Sequence, residues 1–414
     1  MADIRAAAES VFREESGRIV ASLIRISGSF DRAEEALQEA FASALAAWPA
    51  RGIPDNPGAW IMTAAHRRLI DAARRERTRR EKQDALAAEQ AVAQTAAESE
   101  EANMQFPDDR LRLIFTCCHP ALHVEAQIAL TLRTLGGLTT TEIAKAFLMP
   151  EPTLAQRLVR AKRKIQQARI PYEVPDSRVL PERLAAVQAV IYLIFNEGYT
   201  ASSGGELVRQ DLCAEAIRLG RVLCELLPRE AENMGLLALM LLHHSRREAR
   251  VAEGRLVTLE EQDRSRWDRA AIADGLYLVE KALRLGPAGP YQLQAAVAAL
   301  HAEAADPGTT DWAQIAALYE KLLEFNPSPV IALNHAVAVA MSGRMEEGWN
   351  RLEELGRSGA LDRYYLFHAA RADLLRRMHQ TREAASAYEK AAALAQNAVE
   401  VEFLQRRRRE LGAE

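Results

Sequence analysis

The sequence predicts an all-α protein: two small helical domains, the second a helix-turn-helix, followed by a large helical-repeat domain. Three observations carry that expectation. Alanine, leucine, arginine and glutamate dominate the chain. Apolar residues recur at steps of three and four over long stretches, with almost no alternating β-branched runs. In the C-terminal half the helical patterns pair at a repeat of about thirty-four residues. At 414 residues, 49% of them hydrophobic, the chain can bury several cores, as its length alone suggests. A net charge of −4 excludes a generally basic nucleic-acid coat. Any contact with phosphate must therefore come from local patches.

The first domain is expected over residues 5–80. Val11, Ile19, Val20, Leu23 and Ile24 mark an amphipathic helix. Ser29 to Asp31 is a cap before a helix over Glu34–Trp48, whose Ala36, Leu37, Ala40, Phe41, Ala44 and Leu45 point inward. Glu34, Glu35, Gln38 and Glu39 form an acidic and polar outer stripe. A Pro- and Gly-rich loop is expected over Pro49–Gly58, then a third helix from Ala59 to about Glu81. Trp60, Ile61, Ala64, Ala65 and Leu69 supply its apolar half. Its second half is basic: Arg67, Arg68, Arg74, Arg75, Arg77, Arg79, Arg80 and Lys82 outnumber Asp71, Glu76 and Glu81. Stripes of opposite sign on neighbouring helices point to two partners, a basic protein surface and phosphate. Residues 81–107 are Ala-, Gln- and Glu-rich and poor in large apolar side chains, so they read as a polar linker.

The second domain is expected over residues 108–170. Helix is predicted from Asp108 to Arg133, around Cys117, Cys118, His119 and His123. Those four potential ligands lack the spaced pairs of a zinc site, and Pro120 interrupts them. They read as small groups packing beneath the next element, with no metal. All four cysteines of the chain, Cys213 and Cys224 included, read as reduced thiols,. Leu138–Ile165 then forms two helices and a tight turn. Thr139–Thr141 caps the first, and Ile143, Ala144 and Phe147 line its apolar face. Pro150 ends it and Pro152 starts the second. Leu154, Leu158, Ala161 and Ile165 share one face of that second helix, and the rest is basic. This is the pattern of a helix-turn-helix, whose second helix enters the major groove. Sequence choice is expected at Thr153, Ala155, Gln156, Arg157 and Arg160, with Arg163 and Lys164 on phosphate. Gln156 suits adenine and Ala155 a thymine methyl.

Pro171, Pro175 and Pro181 punctuate a linker over residues 171–183. Residues 184–414 read as helical throughout, from Leu184–Phe195 to Arg382–Ala395. Trp312–Gly343 and Tyr364–Leu394 are examples of the repeat and resemble tetratricopeptide units, whose stacked helix pairs present a concave binding face. A Gly/Ser-rich loop, Glu197–Gly205, breaks the first of these helices. Its Asn196, Glu197 and Tyr199 are candidates for a regulatory contact.

The order of an acidic-stripe helix (AEEALQEAF), a Trp-led basic helix (AWIMTAAHRRLIDAARR), a linker and a helix-turn-helix (LTTTEIAKAF, then LAQRLVRAKRK) resembles a bacterial extracytoplasmic-function sigma factor of the sigma-70 family. DDRLRLIFTCCHPAL and MPEPTLAQRLVRAKRKI further resemble the subgroup with a fused C-terminal tetratricopeptide extension. The resemblance implies a transcription initiation factor without enzymatic activity or cofactor. Sigma domain two would bind core RNA polymerase through Glu34, Glu35, Gln38 and Glu39. It would recognise and melt the −10 element of promoter DNA with Trp60, Arg67, Arg68, Arg74 and Arg75. Sigma domain four would read the −35 element. Arg67 stands where many members carry Asn, and Ala155 and Gln156 stand where many carry a basic residue and Ser. In related fused factors, the extension takes over part of the control otherwise exerted by an anti-sigma factor. Docking of residues 184–414 on the sigma domains, and a protein or peptide ligand for the repeats, are therefore expected. No apolar run reaches the length of a membrane span, so no membrane contact and a cytoplasmic location are expected. No Gly-rich phosphate loop, nucleophile elbow or HExxH sequence is present. The alternative is a helix-turn-helix regulator or repeat scaffold that does not bind polymerase.

Overall fold

The computed structural model describes residues 2–85, 108–147, 149–199, 209–252 and 254–412. They divide into two compact units that meet at Val190 and Ile191. The expected linker at 81–107 lies largely outside the described residues, as does most of the Glu197–Gly205 stretch.

In the first unit, α1 (Ala2–Ser27), α2 (Phe30–Arg51) and α3 (Pro57–Ala85) pack on one another. Ile19, Leu23, Ala40, Trp48 and Ile61 are fully buried or nearly so between them. Ser29 caps α2 by accepting from the Arg32 amide. The helix starts earlier and ends later than the sequence suggests, because Pro49 lies inside its last turn. There the proline forfeits one backbone bond, the one its nitrogen would otherwise give to the Leu45 carbonyl,. Gly52, at φ +81°, then donates to the Trp48 carbonyl and closes the end. The loop is therefore shorter than Pro49–Gly58. Asn56 caps α3, accepting from Ala59 N at 3.0 Å.

The stretch Asp108–Arg133 is two helices rather than one, α4 (Arg110–Cys117) and α5 (Val124–Thr134), separated by the turn that holds Pro120. The helix-turn-helix follows as α6 (Thr140–Ala146) and α7 (Glu151–Gln167). Thr139 and Glu142 form a capping box, the reciprocal arrangement that satisfies two orphan amides. Pro150 is the N-cap of α7 and does not end α6, whose C-cap is Phe147. Leu154, Leu158, Ala161 and Ile165 are buried as a stripe. Cys117 and Cys118 are buried beneath, their thiols against the Thr134 and Thr131 hydroxyls at 3.3 and 3.6 Å. Burial raises both thiols, Cys118 to about 12.

The second unit is built around α10 (Ala231–His244), whose residues 233–242 are all buried. It packs against α9 (Gln210–Leu226), α11 (Arg269–Leu283) and α12 (Pro290–Glu303). Helix α8 (Leu180–Tyr199) crosses the boundary between the two units. The stretch between α10 and α11 corrects the all-helical reading of this half: Val251–Ala252 (β1) and Arg255–Leu256 (β2) form a small antiparallel hairpin around Gly254, at φ +75°. Six helices follow, α13 (Trp312–Phe325), α14 (Pro329–Met341), α15 (Met345–Arg357), α16 (Tyr365–Arg377), α17 (Thr381–Leu394) and α18 (Ala398–Glu410), with α14 packed on α13 and α15, and α17 on α16 and α18. Sequence periodicity misses α18, because only Glu400 and Leu404 of its thirteen residues are buried and arginines dominate its end. The last helices return to the hairpin. Arg377 meets Glu260 at 2.7 Å, Arg407 meets Glu261 at 2.5 Å, and α18 packs on β2. The helix array of this unit therefore closes on itself.

Pairs touch through small residues. A Cβ on Gly348 of α15 would lie 2.5 Å from Ala340 N and 2.6 Å from Ala336 O of α14. Gly348→Leu is expected to lower stability by about 3 kcal/mol through overpacking, read in chemical denaturation. A loss near zero would mean that these helices pack more loosely than the close approach requires.

Candidate nucleic-acid interface

The first surface lies on α2 and α3. Burial of Ala33, Ala36, Leu37, Ala40 and Ala44 turns the opposite side of α2 outward, so Glu35, Gln38 and Glu39 are exposed. Arg67, Arg68, Arg74 and Arg75 are exposed on α3. Arg68 ties the two stripes together, with Nε 3.5 Å from Glu39 and Nη2 donating to Ser43 Oγ at 3.2 Å. A cavity of about 640 Å³ between the helices is lined by Arg32, Glu35, Glu39, Arg68 and Arg75. Trp60 stands apart from this group. It packs edge-on against the buried Trp48, with centroids 5.8 Å apart, and lies about 20 Å along α3 from Arg74 and Arg75 at 1.5 Å per residue. The side chains of Arg77, Arg79, Arg80 and Lys82 lie outside the described residues.

The second surface is α7. Its buried stripe anchors it on α5 and α6 and leaves Thr153, Ala155, Gln156, Arg160, Arg163 and Lys164 exposed, with Arg157 half-buried. Thr153, Gln156, Arg157, Arg160 and Lys164 share one depression of about 590 Å³ with His123 and Glu125 at the start of α5. Ala155 and Arg163 flank it. Hydrogen-bonding and cationic side chains along one exposed helix edge are what base edges and phosphates require.

Long-range ion pairs, which no sequence pattern marks, tie the helices around these surfaces together. Lys162 of α7 reaches α2, with Nζ 3.1 Å from Asp31 and 2.8 Å from Glu34. Glu34 is thereby half-buried, where Glu35 and Glu39 are exposed, and its Oε1 is buried without a hydrogen-bond partner. Arg25 of α1 donates to the buried Asp109 carboxylate at 2.7 Å, at the start of α4. These pairs are 128 and 84 residues apart, a separation that leaves no local pattern. Around them α1 packs on α4 and α5, and a Cβ on Gly17 would lie 2.9 Å from the Leu135 carbonyl.

The third candidate group is not a loop. Asn196, Glu197 and Tyr199 form the last turn of α8. Glu197 is paired with Arg209 at 2.8 Å. Tyr199 stacks on Phe195 and meets His243 edge-on. Gly198, a turn signal in the sequence, serves packing instead: a Cβ there would lie 2.7 Å from Cys213 N of α9.

The model for sigma-70 region 2 matches residues 11–79, and that for sigma-70 region 4 matches residues 112–165. The chain belongs to the sigma-70 family of RNA polymerase sigma factors. Its α2–α3 surface falls in the region 2 match and its helix-turn-helix in the region 4 match. Sigma-70 domains imply core RNA polymerase and promoter DNA as partners. A family of unknown function (DUF6596) matches residues 183–283. An uncharacterized protein of Rhizobium meliloti (strain 1021) is 45% identical over 399 residues, 95% of this chain and 93% of its own length. A "Probable ECF RNA polymerase sigma factor SigI" of Mycobacterium tuberculosis (strain ATCC 25618 / H37Rv) is 28% identical over 169 residues, 41% of this chain and 58% of that protein. Among the described residues of this sigma-70 protein, no helix is long and apolar enough to cross a membrane.

Proposed function

We propose that the chain is an extracytoplasmic-function sigma factor acting in the cytoplasm, of the subgroup whose C-terminal extension is of the tetratricopeptide type. It binds core RNA polymerase through Glu35, Gln38 and Glu39, with Glu34 joining once Lys162 lets go. Arg67, Arg68, Arg74 and Arg75 hold the −10 strand as it melts, against Trp60. The edge of α7 from Thr153 to Lys164 reads the −35 element. The observation that carries this reading is the pairing, in one compact unit, of an exposed acidic stripe on α2 with an exposed hydrogen-bonding edge on α7. A DNA-binding regulator needs only the second. The connection after α7 supports a controlling role for the extension. Tyr172 donates to the Ala21 carbonyl at 2.7 Å and Arg183 to the Phe115 carbonyl at 2.6 Å, so the chain leading into the extension is held against the sigma domains.

Transcription reconstituted with core polymerase on genomic DNA tests this. Sequenced transcripts are expected to begin at discrete starts that share upstream elements. Gln156→Ala should relax the preference at one −35 base pair by about 1–3 kcal/mol. A chain ended after Val190 should change transcript yield several-fold. Equal yield would remove the controlling role. No promoter-dependent initiation by the full chain would remove the sigma reading.

A further inference from the structure

The second unit holds a cavity of about 450 Å³ at the seam where its helix array closes. Residues distant in sequence build it: Tyr199 at the end of α8, Arg250 before β1, Tyr365 on α16, and Glu400 and Phe403 on α18. Its size is within the range of about 300–1,000 Å³ typical of small-molecule sites. Both charged residues are more than nine-tenths buried, Arg250 at 7% and Glu400 at 8% exposure. The Arg250 guanidinium lies 3.6 Å over the Tyr199 ring and donates to the Tyr199 carbonyl. Glu400 accepts from the Tyr365 hydroxyl at 2.5 Å.

A buried cation and a buried anion are costly to keep on one small space. Apolar packing would fill that space more cheaply, so stability alone does not account for the arrangement. Burial raises the Glu400 carboxyl against the pull of Tyr365 and Arg250, and a cation placed beside it would relieve that cost. The remaining walls are aromatic and aliphatic. A guanidinium favours a carboxylate, a buried carboxylate favours an ammonium, and apolar walls favour a hydrocarbon body.

We propose that this cavity binds a small zwitterion of the α-amino acid class: its carboxylate meets Arg250, its ammonium meets Glu400, and its apolar side chain lies against Tyr199, Tyr365 and Phe403. The site makes the C-terminal unit a receptor for a metabolite, whatever the first unit does with polymerase.

The test is thermal unfolding of the full chain with L-leucine, L-phenylalanine or L-tyrosine, beside N-acetyl-phenylalanine and phenylalanine amide. At a hundredfold excess over Kd, one of the zwitterions should raise the midpoint by roughly 5 °C. Each blocked derivative should bind at least about tenfold more weakly, since it loses one charged contact. Glu400→Gln should remove the preference for a free ammonium. Leu366→Trp fills the cavity from a residue that is 43% exposed. It should abolish the shift while leaving the ligand-free midpoint in place, which keeps the test decisive if Glu400→Gln does not fold. No concentration-dependent shift with any of the three amino acids would overturn the proposal. So would equal binding of the blocked forms, or a shift that survives Leu366→Trp. Transcription is not measured, so failure here leaves the sigma reading untouched.

Discussion

A chain carrying Glu35→Lys and Glu39→Lys is expected to fold and yet fail to capture core RNA polymerase. Both side chains are exposed on α2 and bury nothing. Among the described residues, the tie at risk is the Glu39–Arg68 pair at 3.5 Å, whose members are 45% and 46% exposed. Exposed pairs of this kind contribute about 0.2–1 kcal/mol, so the denaturation midpoint should barely move. Binding should respond far more strongly. Each substitution replaces an attraction for a basic surface with a repulsion, and like charges brought together at an interface cost several kcal/mol. A loss of more than about a hundredfold in affinity follows at 1.4 kcal/mol per tenfold. Co-purification or titration with core enzyme reads it, and Gln38→Ala, which removes no charge, should cost much less. Retention of polymerase by the doubly reversed chain would take the acidic stripe out of the interface.

Arg25→Ala is expected to lower the stability of the first unit by about 2–3 kcal/mol. The reason lies with its partner: Asp109 has a side chain only 3% exposed, and its carboxylate takes its 2.7 Å contact from Arg25. Removing one member of a buried pair strands a charge, which costs about 3–5 kcal/mol when the site is fully enclosed. Two facts lower the figure here. Arg25 is itself 34% exposed, and Arg112 keeps a 3.4 Å contact to the other oxygen of Asp109. Urea unfolding measures the loss. Asp109→Asn should recover part of it in the Arg25→Ala background, as coupled sites do in a double-mutant cycle. A loss below about 0.5 kcal/mol, the range of ordinary surface changes, would show that Arg25 does not hold α4 against α1.

The features legible in the sequence are those with short-range causes. The threonine cap at Thr139–Thr141 and the stripe Leu154, Leu158, Ala161 and Ile165 lie within a few turns of backbone, so their spacing is enough to place the helix-turn-helix. The acidic and basic stripes of α2 and α3 were legible for the same reason. Chain breakers misled where tertiary packing overrode them. Pro49 signals the start of a loop but sits in a last helical turn, and Gly198 signals a loop but lets α8 approach α9. Helix α18 was missed because few of its side chains are buried, leaving its apolar signal weak. The hairpin is too short to alternate. The engagement of Glu34 by Lys162 depends on residues 128 apart, and no window of sequence carries it. The cavity at Arg250 and Glu400 is hidden in the same way.

Closure of the C-terminal helix array also bears on how that unit is made. In an open array each helix pair touches only its neighbours, so folding can spread from any point. Here Arg407 bonds Glu261 across 146 residues, and Arg406 bonds the Leu256 carbonyl across 150. Contacts of such separation slow folding, because a long loop must close before they form. During synthesis the hairpin and the end of α8 leave the ribosome well before α18, and they wait half-built until that helix emerges. A stop codon just before α18 would therefore be far from a harmless trim. It would leave Tyr199, Arg250 and Tyr365 exposed on a ring that cannot shut, a product suited to degradation.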